Sequence, residues 1–296
     1  MKKRKVKKQV VRAKTSGNKG NSGNSFFLSY WKMFDISLFG REKSDLLNII
    51  GRNLDSGTKK YWIATVNPEF MMEAEKDRVF KDILKKTSLN VVDGIGLVWA
   101  RELACQPVSL SAYQITKFFK KIPVAFKVGV DVLKGKYKDQ VASGADLILE
   151  LAKMAKEKEK KIFLLGGWGD RAERTAKFLM SKFLISNDQI EWSEGEPKIE
   201  NDEVVKKINK FKPDILLVAY GMKKQEFWIN DNLESLEVGL VMGVGRSFDY
   251  YSGELKRAPE IWRKMGMEWL YSLIKEPKRL KRQLALPRFI WKVIIN

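Results

Sequence analysis

Residues 213–245 read PDILLVAYGMKKQEFWINDNLESLEVGLVMGVG. Two apolar runs, 215–219 and 239–242, end in glycine-containing turns, at Tyr220-Gly221 and at Gly243-Val244-Gly245. Residues 224–235 between them fit a helix. Short apolar runs that alternate with helices and stop at turn residues predict parallel strands.

The same alternation extends in both directions. Upstream, a helix-like stretch over 46–54 leads to an apolar run at 61–65. Pro68 then opens a helical segment whose buried face would carry Phe70, Ala74, Ile83 and Leu84. A run at 89–92 ends in Asp93-Gly94. A helix near 144–159, a strand at 162–165 closing on Gly166-Gly167, and helices near 170–184 and 202–210 complete the pattern. The expected fold class is α/β: a Rossmann-like, mostly parallel sheet with helices on both faces, followed by a basic helical appendage. Three segments stand outside the alternation. Residues 1–25 are basic and Gly/Ser/Asn-rich, and such a composition predicts a disordered tail. Residues 101–138 read as a basic insertion in a core that spans 26–254. Residues 255–296 form the C-terminal appendage.

Composition narrows the chemistry. The 296 residues contain no histidine and one cysteine, Cys105, read here as a small buried hydrophobe. Histidine-based catalysis, histidine-ligated metal and an intrachain disulfide are therefore excluded. The net charge of +20 is concentrated in the extensions. Residues 1–25 carry nine basic residues and no acid, and residues 255–296 carry eleven basic and three acidic ones. Basic extensions seek polyanions, either anionic lipid or nucleic acid. KKRKVKK near the start matches a nuclear-localisation string, although a solvated basic tail is the commoner explanation of such a run. No apolar run reaches the roughly 18–20 residues of a membrane span, and no apolar stretch follows the basic start as in a secretory signal. The expectation is a cytoplasmic protein, peripheral on the inner face of the cell membrane.

Polar and glycine residues recur immediately after the strands: Thr65 and Asn67, Asp93 and Gly94, Gly166 and Gly167, Gly221, and Gly245. In an open parallel sheet the ligand crevice lies at the carboxyl ends of the strands, so these five junctions would line one site. Gly94-Ile-Gly96 and Gly243-Val-Gly245 both lack the third glycine of a dinucleotide fingerprint, and no P-loop is present. No two aspartates have the D-x-D spacing of a metal-dependent nucleotide-sugar site. A bound diphosphate would then need backbone N–H groups and basic side chains. Asn67 before Pro68 also reads as a helix cap, and Asp93-Gly94 as an ordinary turn.

Several stretches together resemble the TagA/WecG/CpsF family of bacterial glycosyltransferases. They are Thr65-Val-Asn67-Pro68, Val92-Asp93-Gly94-Ile-Gly96, Gly144-Ala-Asp146-Leu, Phe163-Leu-Leu-Gly166-Gly167, Gly221-x-x-x-Gln225-Glu226-x-Trp228, and Gly243-Val-Gly245-x-x-Phe248-Asp249-x-x-x-Gly253. The resemblance continues through Lys256-Arg257-Ala258-Pro259, Gly266-Met-Glu268-Trp269-Leu-Tyr271 and Glu276-Pro277-x-Arg279, and covers about 44–290. It implies inverting, metal-independent transfer of N-acetylmannosamine or a related sugar from a UDP-sugar to a polyprenyl-diphosphate-linked acceptor, with no cofactor. It also implies a role in wall teichoic acid, common-antigen or capsule synthesis, a tail that meets an anionic membrane surface, and Asp93 as general base. Homo-oligomerisation is left open.

Thr65, Asn67, Gly94, Gly166, Gly167, Gly221, Gln225, Glu226, Gly245 and Asp249 become the expected substrate contacts. Arg257, Arg279 and Arg282 become the expected partners for phosphate. Four positions depart from the family pattern: Gln140 for arginine, Lys223 for proline, Arg246 for glycine and Ser272 for arginine. They raise the alternative of a catalytically inactive relative. The aromatic and basic tail raises the alternative of nucleic-acid binding, but no RRM, KH or zinc pattern supports it.

In the tail, Ile261, Met265, Trp269 and Leu273 recur at i+4 and predict one helical face, ending at Pro277.

Overall fold

The computed structural model describes residues 30–105, 114–194 and 202–295. The tail expected over 1–25 and the centre of the 101–138 insertion lie outside the described residues.

The chain enters through a hairpin, β1 (Tyr30–Met33) and β2 (Ile36–Phe39). It turns on Phe34 and Asp35, with φ of 50° and 68°, the paired left-handed conformation of a two-residue hairpin loop. There follow α1 (Lys43–Ser56), β3 (Tyr61–Val66), α2 (Pro68–Lys76), α3 (Arg78–Lys86), β4 (Leu89–Val92), α4 (Ile95–Cys105), α5 (Gln114–Leu133) and α6 (Gly144–Glu157). The second half runs β5 (Ile162–Gly166), α7 (Arg171–Phe183), β6 (Ile190–Ser193), α8 (Asp202–Phe211), β7 (Ile215–Ala219), α9 (Lys224–Asn232), β8 (Leu240–Gly243) and α10 (Ser247–Tyr251). The tail is four helices: α11 (Glu260–Lys264), α12 (Glu268–Lys275), α13 (Leu280–Gln283) and α14 (Ala285–Ile295).

Six strands form one parallel sheet in the order β4-β3-β8-β7-β5-β6. Its central strands are apolar throughout because helices cover both faces. On one face Leu46, Ile50, Leu147, Leu151 and Leu179 pack against Ile63, Leu164 and Leu217. On the other, Ile208, Trp228 and Ile229 pack against Trp62, Phe163 and Leu216. The register pairs Val66 with Val92, Ala64 and Val218 with Gly243, and Gly166 with Ala219. The predicted junctions therefore reach one edge together.

Several expectations are corrected. The helix opened by Pro68 is two helices, because Asp77 caps α3: its Oδ1 accepts from Val79 N at 2.9 Å and Phe80 N at 3.1 Å. Cys105 is exposed at the end of α4, since the buried face of that helix is carried by Leu97, Val98, Ala100 and Leu103. The start of the presumed insertion, Arg101–Cys105, thus belongs to a core helix. Part of α5 is also packed: Val128 and Val132 are buried, and Trp99 Nε1 donates to Ala125 O at 3.0 Å. The hairpin and β6 were not anticipated.

The single i+4 face over Ile261–Leu273 does not form. Gly266, with φ 68°, breaks the helix, and Ile261 is 65% exposed. A Cβ at Gly266 would lie 2.8 Å from Ile95 Cγ2, so glycine here allows the tail to approach the start of α4. Pro277 does end α12, as the sequence predicts.

The tail also reaches into the core. Phe289 on α14 is fully buried with Trp31, Met71 and Phe80 in the cluster formed by the hairpin, α2, α3 and α4. Truncating it leaves a cavity, so Phe289→Ala should cost about 3–5 kcal/mol. Urea denaturation of both proteins measures this, and an unchanged midpoint would show that α14 is only laid on the surface.

Candidate active site

The carboxyl ends of β3, β4 and β8 meet the start of α6 and the tail. Thr65 is buried, and its hydroxyl donates to Gly243 O at 3.2 Å. It stands beside the start of α6, since a Cβ on Gly144 would lie 3.5 Å from Thr65 Oγ1 and 3.6 Å from Ser247 Oγ. Asn67 caps α2, its Oδ1 accepting from Glu69 N at 2.9 Å and Phe70 N at 3.1 Å. The capping reading of Asn67 is therefore realised. Gly94, with φ 95°, turns the chain from β4 into α4.

Asp93 follows β4, and its backbone N–H donates to Val66 O at 2.7 Å. The side chain is partly buried and makes no hydrogen bond or ion pair among the described residues. Burial, then the nearby carboxylates Glu268 and Asp146, push its pKa up to about 7, with Arg257 opposing. An unpaired carboxylate that titrates near neutrality at a strand end fits a general base.

Arg257 is gripped by acids of the protein itself. Its Nη1 donates to Asp146 Oδ1 at 2.6 Å, its Nε to Glu268 Oε1 at 3.0 Å and its Nη2 to Ser143 Oγ at 3.1 Å. Burial opposes the guanidinium charge, but these carboxylates outweigh it and hold its pKa above the ordinary value. Burial likewise works against the Asp146 charge, and Arg257 more than offsets it, so the Asp146 pKa is lowered. Arg257 is thus a clamp between α6 and α12.

Gln225 and Glu226 are buried scaffolding. Gln225 Oε1 accepts from Gly245 N at 2.8 Å, and its Nε2 donates to Glu226 Oε1 at 2.7 Å. Glu226 Oε2 accepts from Lys223 N at 2.7 Å. Burial raises the Glu226 pKa to about 7 against those hydrogen bonds. The pair fixes the loop after β8, and both side chains are buried. The N–H groups of Gly167 and Gly245 are also engaged, with Ala219 O and Gln225 Oε1. Gly166 lies against Tyr220, where a Cβ would be 2.7 Å from the ring, and Gly221 has φ 80°. Asp249 pairs with Arg171 at 2.7 Å and ties the same loop to α7.

Arg279 and Arg282 arrive from the tail. Arg282 grips Glu69, in the first turn of α2, at 2.7 and 3.1 Å. Arg246 forms a two-pronged pair with Glu276 at 2.7 and 3.1 Å. Arg279 lies 3.8 Å from the same carboxylate. Its buried Nε has no hydrogen-bond partner among the described residues. Burial, then the charges of Arg246 and Arg282, lower its pKa. Two of the sequence departures are thereby placed. Arg246 joins this cationic cluster, and Ser272 lies beside the Tyr250 phenol. Gln140 accepts from Arg101. Lys223 has φ 73° and pairs with Glu73 and Asp77, both at 2.8 Å. Proline, locked near −65°, could not adopt that conformation.

Asp146, Glu268, Ser143 and Arg246 were given no role from the sequence. Asp146 and Glu268 lie inside quoted motifs, but Arg257 and Asp146 are 111 residues apart, and spacing shows no such pairing.

A basic carboxylate and a guanidinium cluster at the carboxyl edge of a parallel sheet are the parts of an enzyme that transfers a group to a hydroxyl. The chain belongs to the glycosyl transferase WecG/TagA/CpsF family, whose profile matches residues 31–125 and 127–296. Among similar proteins are N-acetylglucosaminyldiphosphoundecaprenol N-acetyl-beta-D-mannosaminyltransferases of Staphylococcus aureus strains MW2, NCTC 8325 and COL. Each is 30% identical over 239 residues, covering 81% of this chain and 82% of the relative.

Two outcomes follow from the Asp93 environment. If Asp93 must be ionised to act, the rate rises with pH through about 7. Removing the Glu268 charge in Glu268→Gln should move this acidic limb to lower pH, as a pH–rate profile will show. For stability the sign is the reverse. The folded-state pKa of Asp93 lies above the ordinary carboxylate value, so its contribution is present at low pH and lost as pH rises through about 7. Asp93→Asn should therefore gain stability over the parent between about pH 4 and pH 7, measured by urea melts. A constant difference would mean that Asp93 is not perturbed.

Proposed function

We propose that this glycosyltransferase moves an N-acetylmannosaminyl-type sugar from a UDP-sugar onto a polyprenyl-diphosphate-linked N-acetylglucosamine, at an anionic membrane surface on the cytoplasmic side. The reaction would serve cell-surface polysaccharide synthesis. The observation that carries this reading is the unpaired Asp93 carboxylate at the end of β4, poised near neutrality. The similar proteins that act on a diphosphoundecaprenol-linked acceptor support the choice of substrate class.

The acceptor hydroxyl would give its proton to the Asp93 carboxylate as its oxygen attacks the anomeric carbon. The bond from that carbon to the UDP oxygen breaks, and the electron pair leaves with the diphosphate. Attack opposite the leaving group inverts the centre. Thr65 lies at the rim beside Gly144 and would contact the donor. Arg279, with an uncommitted buried N–H, supplies positive charge to a diphosphate. No helix among the described residues is long and apolar enough to cross a membrane. Contact with lipid would be made by the exposed tail residues Ile261, Ile274 and Ile295, beside basic neighbours.

Asp93→Asn keeps shape and removes basicity. Turnover with UDP-N-acetylmannosamine and a polyprenyl-diphosphate-N-acetylglucosamine analogue should fall at least ~100-fold, while UDP binding measured by calorimetry stays close to the parent's. Parental turnover in the variant would remove Asp93 from the chemistry. Because guanidinium groups can neutralise the phosphates, excess EDTA should leave the rate essentially intact. Loss of activity restored by magnesium or manganese would overturn that expectation.

A further inference from the structure

The tail contains an apolar groove of about 430 Å³, between α12, α13 and α14. Its walls include Trp269, Leu280, Leu284, Leu286, Ile290 and Trp291, and Gln283 is its one polar side chain. The volume is within the roughly 300–1,000 Å³ of small-molecule sites. Leu280 is 55% and Trp291 58% exposed, so this is a site open to solvent rather than part of the core.

Two observations select the occupant. The first is the turn that forms one wall. Leu280 and Leu284 line the groove, while the alternating Arg279 and Arg282 turn toward the crevice, to Glu276 and to Glu69 at the start of α2. One short stretch therefore separates a cationic side from an apolar side. The second is continuity with the catalytic loop. A Cβ at Gly96 would lie 3.6 Å from Leu286 Cδ1. Gly96 is three residues beyond Asp93, so a groove wall touches the segment that carries the base.

We infer that this groove seats the first isoprene units of the acceptor's polyprenyl chain, with the diphosphate held at Arg279 and Arg282 and the sugar delivered to Asp93. The inference rests on the proposed acceptor class. A single molecule with an apolar chain, an anionic linker and a neutral hydroxylated head matches the order groove, arginines, aspartate. A lipid acyl chain would satisfy the groove alone.

The test uses the full chain without detergent or vesicles. Calorimetry is run with geranyl, farnesyl and geranylgeranyl diphosphate and with inorganic diphosphate. Binding should tighten by about ten-fold or more from geranyl to geranylgeranyl diphosphate, because each added unit buries more apolar surface. Leu284→Glu places a charge in the groove, and Gln283→Trp fills it. Both positions are at the surface, and circular dichroism checks the fold. Each should abolish the dependence on chain length. Equal affinity for all chain lengths, or chain-length dependence that survives both substitutions, overturns the inference. So does a variant that loses flotation with phosphatidylglycerol vesicles yet keeps parental affinity for geranylgeranyl diphosphate, because the groove would then lie on the bilayer instead. Prenyl diphosphate binding without sugar transfer to any acceptor would leave the groove standing and remove the proposed reaction. Transfer with the same KM for prenylated and unprenylated acceptors would do the opposite.

Discussion

The Arg257 guanidinium joins three parts of the chain. It holds Ser143 and Asp146 at the start of α6 and Glu268 at the start of α12. Without it, Glu268 and Asp146 would face Asp93 with Arg263, 3.9 Å from Asp146, as the nearest remaining ion-pair partner among the described residues, and the tail would lose a main tie to the α6 side of the crevice. A buried cation bridging two acids costs desolvation, and its geometry must be good to recover that cost. The short distances here meet that condition. The same clamp adjusts the Asp93 carboxyl: burial does most to raise its pKa, Glu268 and Asp146 add to the rise and Arg257 opposes it, so part of the shift comes from the contact that docks the tail.

The tail is consequently neither a free anchor nor a simple lid. Phe289 is buried in the core, Arg282 and Lys292 pair with Glu69 and Glu75 on α2, and Arg246 reaches out from the loop after β8 to Glu276. The apolar surface left over lies on the opposite side, around α12 to α14. This division follows from a helical turn that places leucines and arginines on different faces. The positive charge that looked like a uniform basic extension is in part consumed by acids of the core.

The four departures from the family pattern fall into this frame as local substitutions with partners. Gln140 accepts from Arg101, Lys223 holds a left-handed conformation and two acids, Arg246 shares Glu276 with Arg279, and Ser272 lies beside Tyr250. Each position is engaged, and none leaves Asp93 blocked by a hydrogen bond or ion pair among the described residues.

The alternation of apolar runs and helices, the glycines after strands and the absence of histidine were properties of the sequence alone. They determined a parallel α/β sheet and brought its glycine-containing junctions to one edge, because strand burial and helix periodicity are local. Asp93 stood out only through the resemblance to the family, since Asp93-Gly94 by itself reads as a turn. The cap at Asn67 and the helix end at Pro277 were legible from local sequence too. The sequence could not show that Asp77 splits a helix, that Gly266 breaks the expected apolar face to let the tail meet Ile95, or that Cys105 is exposed. Those depend on which side a neighbour occupies. Nor could it show that Arg257 joins two carboxylates, or that Gln225 is buried holding Gly245. Charge pairing across a hundred residues has no periodicity to read, and only the packed chain decides which guanidinium is spent on its own acids and which keeps a donor for a ligand.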